Sequence, residues 1–167
     1  MPNRASKRFR VIFMLLTALS ILFAFVHSLM PSSVSDAESN GFVLLLQSFF
    51  QLFGVTPEAV PGVVRKRAHY TEFSVIGAML TCCAYSFDRI KPYRFRIQIL
   101  FVGLLTAVTD ETIQIFSGRG SQVQDVVLDF SGALTGILLV SLIMIIAWRN
   151  QSRIRLISLP NDKLDSE

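Results

Sequence analysis

His69 and Glu72 stand three residues apart, Asp110 and Glu111 are adjacent with Gln114 one turn further on, and Asp125 and Asp129 are again one turn apart. At helical spacing each group falls on one face. An imidazole and carboxylates brought together can accept and donate protons as general bases and acids. Arg65, Lys66 and Arg67 lie just before His69, and Arg119 sits between Gly118 and Gly120. Such cations hold a phosphate or carboxylate through charge-assisted hydrogen bonds. The His69-x-x-Glu72 pair with nearby carboxylates also has the chemistry of metal ligands, but the bases crowded around it oppose a cation, so neither a metal nor a cofactor is expected. The bland alternative is a salt-bridge network at helix ends that fixes a bundle and binds nothing. No nucleophile motif accompanies these residues, so binding is favoured over catalysis and enzyme status is left open.

The elements that must carry these groups are membrane spans. Of 167 residues, 51% are hydrophobic and 17% charged, and the mean hydropathy is +0.51. A soluble domain carries about 25% charged residues; here the charges clump between long uncharged stretches, as in a bilayer-spanning chain. Four spans are expected, at about 11–29, 68–87, 97–116 and 126–148. The first resembles a secretory signal in its basic flank, but its apolar run exceeds a signal core and no A-x-A site follows, so it is read as uncleaved. Between the first two spans, 41–54 is too short to cross the bilayer and places Gln47, Ser48 and Gln51 on one face. An amphipathic helix lying in the interface, or a re-entrant segment, fits that pattern. Thr56, Pro57, Pro61 and Gly62 are then read as a break. The fold class is therefore all-α, a polytopic membrane four-helix bundle plus this short helix, with a transmembrane domain over 1–148 and a polar tail over 149–167.

The net charge of +4 comes from basic residues flanking the apolar segments, which argues for orientation in a membrane and against nucleic acid. Basic residues gather at the N-terminus, in the 88–96 loop and in the tail, so both termini are expected in the cytoplasm. That topology brings His69, Glu72, Asp110, Glu111, Gln114, Asp125 and Asp129 to one level near the outer face, with Arg65, Lys66, Arg67 and Arg119 beside them to balance the acids. His27, at the outer end of the first span, can join them. Ionisable groups at a helix centre cost about 2.5–3.5 kcal/mol each on insertion scales, so their convergence calls for a reason. Cys82 and Cys83 are adjacent inside an apolar segment and are read as packing residues. Gly132 and Gly136, and Ser74 and Ala78, form small-xxx-small patterns that promise close helix packing.

Two stretches carry a family resemblance. Residues 65–80, RKRAHYTEFSVIGAML, and 110–136, DETIQIFSGRGSQVQDVVLDFSGALTG, resemble the VanZ-like family of bacterial membrane proteins. The matching features are a basic-x-Ala-His-aromatic-x-Glu block, a D-E-x-x-Q block, a glycine-arginine loop and a D-x-x-x-[DN]-x-x-G helix. Asp129 takes the position where the family varies between Asn and Asp, and Phe116-Ser117 stands where a proline frequently precedes the glycine. The resemblance implies a small multi-pass protein of the bacterial cell membrane, in a family whose namesake is linked to low-level teicoplanin resistance. The expected function is binding of a lipid headgroup, a cell-wall precursor or a glycopeptide at the outer polar site, with membrane lipids as partners and a homo-oligomer possible. A membrane enzyme acting on a lipid-linked envelope substrate and a lipid transporter or flippase are the alternatives; the lack of an internal repeat weighs against the last.

Overall fold

In the computed structural model, residues 6–30, 60–88, 92–118 and 122–157 are described, and every regular element among them is helical. Helix α1 spans Lys7–Leu29, α2 Val60–Phe87, α3 Arg96–Phe116 and α4 Val123–Ile157, with a short 3₁₀ turn, Pro92–Phe95, leading into α3. The expected helix at 41–54 lies outside the described residues, as do Arg119 and Gly120 of the glycine-arginine loop.

Three of the helices, α1, α3 and α4, are long and apolar enough to cross a membrane. Their apolar side chains point outward: Leu19, Phe23, Phe101, Leu138 and Ile143 are all exposed. The interior is the polar part, where Ser28, Asp110, Gln114 and Asp129 are almost fully buried beside Phe73 and Ile76. This inversion suits a bilayer, whose tails solvate leucine as well as a protein core does. It also places α2, the helix outside that trio, whose first half carries Arg65, Lys66, Arg67, His69 and Glu72. α2 packs against α1, α3 and α4, and His69 is buried and Glu72 nearly so among them, while Lys66 and Arg67 are exposed.

Several hydroxyl groups in the helices are satisfied by the carbonyls of their own helix. Thr81 donates to the Gly77 carbonyl at 2.9 Å, Thr106 to Val102 at 2.8 Å and Thr135 to Ser131 at 3.0 Å. Back-bonding of this kind removes the cost of a bare hydroxyl in hydrocarbon.

The most extensive packing is between α2 and α4, and the small residues permit it. A Cβ added at Gly136 would fall on the carbonyl oxygen of Ser74, and one at Gly77 on the carbonyl of Ala133. The small-xxx-small stripes of α2 and α4 therefore meet each other. Tyr70 and Thr135 share a hydrogen bond of 2.7 Å across the same interface.

The largest departures from the sequence expectation are at two helix limits. α2 begins at Val60, eight residues early, with Pro61 inside its first turn. Proline is tolerated there because the first N–H groups of a helix have no partner within it; it opens the helix and breaks nothing. α4 continues to Ile157, nine residues past the expected span and into the segment read as a tail. α3 ends as its sequence suggests: Gly118 takes a φ of 74°, and its N–H donates to the Ile115 carbonyl at 3.2 Å. Glycine enters this left-handed conformation without a Cβ penalty.

Candidate functional site

Four helices meet at one end of the bundle. α1 brings its last turn, α2 its first half, α3 its second half and α4 its start. The antiparallel run of α1 and α2 is fixed at both ends: the Arg10 guanidinium lies 5.9 Å from the Phe87 ring, and His27 Nδ1 faces Glu72 Oε2 at 3.5 Å. The basic N-terminal turn of α1 and Arg94 and Arg96 of the α2–α3 connection thus occupy the end remote from the site.

Asp110 sits at its centre, with no exposed surface. Ser28 Oγ, from α1, donates to Asp110 Oδ1 at 2.7 Å. Gln114 Nε2 donates to Asp110 Oδ2 and to Glu111 Oε1, each at 2.9 Å. One amide one turn along therefore clamps both acids of the Asp-Glu pair, the geometry the D-E-x-x-Q spacing allows. Ser117 locks the other side: its hydroxyl donates to the Ser28 carbonyl at 3.0 Å and to that of Gln114 at 3.1 Å.

His69, from α2, lies between two acids. Its Nδ1 is 3.8 Å from Asp110 Oδ2 and 4.0 Å from Asp129 Oδ1. Both separations exceed hydrogen-bond length. His69 and Asp129 are buried, and Asp129 Oδ2 is buried without a hydrogen-bond partner. Glu72 Oε1 is in the same condition. The His69 ring stacks on that of His27, with centroids 5.8 Å apart and planes inclined by 18°. At the rim, Lys66 Nζ pairs with Asp125 Oδ1 at 3.6 Å.

A cavity of about 170 Å³ joins rim to interior. Its lining passes from exposed Lys66 and Gln122, through half-buried Arg65 and Asp125, to buried His69, Glu111, Gln114 and Asp129. Electrostatics make this interior costly. One oxygen each of Asp110 and Asp129 and one nitrogen of His69 lie within 4.8 Å of one another. Two full negative charges at that distance repel by about 3 kcal/mol at an effective dielectric of 20. The arrangement thus holds concentrated acceptor capacity beneath a basic rim.

Nine of the eleven residues singled out in the sequence converge here: Arg65, Lys66, His69, Glu72, Asp110, Glu111, Gln114, Asp125 and Asp129. Arg119 lies outside the described residues, and Arg67 is exposed at the same end of α2. Two participants carried weaker signals. His27 is drawn in through Glu72 and His69, as its place in the first span allowed. Ser28 gave no sign, because a serine at the end of an apolar helix is common; its partner lies 82 residues away.

The family model described as VanZ/LLP1 matches residues 11–145. No curated protein and no solved structure matches the chain.

Proposed function

The chain belongs to the VanZ/LLP1 family and is a VanZ-like membrane protein of the cell envelope, and on that footing we propose that its polar end faces outward and binds the anionic headgroup of a lipid or lipid-linked cell-wall precursor. The observation that carries this reading is the cavity whose rim bears Arg65 and Lys66 and whose buried part bears fixed hydrogen-bonding groups. Two rim cations suit a phosphate-type oxygen cluster, which each can meet with charge-assisted hydrogen bonds. The interior, with Gln114 and Glu111 held in place, offers acceptors to the hydroxyl or amine groups of a headgroup.

Size narrows the ligand. At about 170 Å³ the cavity is smaller than the roughly 300–1,000 Å³ of pockets that enclose a drug-sized molecule. A headgroup fits while its acyl or prenyl chain remains in the bilayer. A whole glycopeptide does not fit inside and would engage the rim alone.

The test is binding to the purified full-length protein in nanodiscs. Phosphatidylglycerol and a polyprenyl phosphate are compared with phosphatidylcholine and with inorganic phosphate, all in the presence of a chelator. The anionic lipids are expected to bind and phosphatidylcholine not. The double variant R65Q/K66Q is expected to weaken the anionic lipids by about tenfold or more, one charge-assisted bond being worth about 1.5–3 kcal/mol. Equal binding of anionic and zwitterionic lipids, or a double variant that binds as well as the parent, overturns the reading. Binding of inorganic phosphate with equal strength would assign the rim to a free anion.

A further inference from the structure

The geometry points to a divalent-cation site formed by His69, Asp110 and Asp129. The three residues come from α2, α3 and α4, so no local sequence motif predicts it. In the sequence, bases crowd the same region and weigh against a metal. In the folded chain Lys66 is exposed and held by Asp125 at the rim, Arg67 is exposed and Arg65 is half-buried on the cavity lining, while the buried trio consists of one imidazole and two carboxylates.

Three observations support the assignment. The first is spacing. His69 Nδ1 stands 3.8 Å from Asp110 Oδ2 and 4.0 Å from Asp129 Oδ1, too far to bond directly. Two ligands each about 2.1 Å from a shared ion lie roughly 3.4–4.0 Å apart at bond angles between tetrahedral and wider. The second is Asp129, which is 1% exposed; its Oδ2 has no hydrogen-bond partner and the residue lines the cavity. A buried acceptor left bare costs stability unless something fills it. The third is the support behind Asp110: Ser28 Oγ and Gln114 Nε2 both donate to its carboxylate. Hydrogen bonds of this kind orient metal-binding carboxylates.

The donor set selects the ion. One nitrogen and two oxygens suit Zn²⁺ or Mn²⁺ better than Ca²⁺, which takes six to eight oxygens. Three protein ligands leave a position open toward the cavity, as in metal sites that accept an exchangeable ligand. A dication also neutralises two carboxylates that otherwise face each other in a water-poor interior. These contacts define the ion site whether or not a headgroup binds above it.

The test uses the full-length protein in detergent, stripped with a chelator and then titrated with Mn²⁺ or Zn²⁺ and no lipid. One Mn²⁺ is expected per chain, and its electron-spin-echo spectrum should show nitrogen coupling from a single imidazole. H69Q and D129N are each expected to weaken Mn²⁺ binding by about tenfold or more, whereas D88N, at the opposite end of α2, should bind as the parent does. Wild-type protein that binds no equivalent of either ion overturns the proposal. So does bound Mn²⁺ without nitrogen coupling, or unchanged binding in a folded H69Q or D129N. If both variants fail to fold, the wild-type spectrum decides the question alone.

Discussion

Asp110 is the residue on which the site turns, because its carboxylate receives donors from two helices at once. Ser28 is the long-range half of that clamp and ties the last turn of α1 to α3. Ser28→Ala leaves a buried carboxylate oxygen short of a donor, a loss of about 1–3 kcal/mol. Thermal unfolding in detergent should show a lowered midpoint for S28A. Thr109→Ala, whose hydroxyl only bonds back to the Leu105 carbonyl, should stay close to the parent. Equal melting of the two variants would remove Ser28 from the clamp. The contrast also shows what a lone sequence can reveal. Gln114 was legible because its two partners lie three and four residues away on the same helix. Ser28 was not, because its partner is fixed only by the tertiary fold.

The extensive contact between α2 and α4 is made at small residues. Gly136 lies directly against the backbone of Ser74, whereas a Cβ at Gly103 would meet only the Ala133 side chain at 3.6 Å. Gly136→Ala must push α2 and α4 apart, a cost of about 1–3 kcal/mol for overpacking. Gly103→Ala makes an ordinary contact and should be nearly neutral. Comparing their unfolding midpoints, and their headgroup and Mn²⁺ binding, tests this ordering: a G136A protein as stable as G103A would contradict the close approach. This interface was readable in advance, since spacing by four places small residues on one helical stripe. Helix limits were harder. Pro61 looks like a break in the sequence, but a proline that opens a helix and one that ends it carry the same letter. At the far end of α4, Trp148 and Arg149 mark where the bilayer should end, and hydropathy cannot tell that from where the helix ends.

For the molecule as a whole, alternation of four helices puts the site at one end and the basic turns at the other. On the positive-inside rule we propose that the basic end lies in the cytoplasm. In a C82S/C83S background, a cysteine at Gln122 should react with an impermeant maleimide from outside intact cells, and one at Ser6 only after permeabilisation. The reverse pattern would invert the topology and leave the site facing inward. Sidedness was inferred from loop charge, whereas the meeting of the polar groups at a single level now follows from contacts between named atoms. The length of α4 has a consequence of its own. Its 35 residues measure about 52 Å at 1.5 Å per residue, against roughly 30 Å of hydrocarbon. With its first turn anchored beside Lys66, the surplus of roughly 20 Å carries the C-terminal end of α4 out on the far side as a stiff mast.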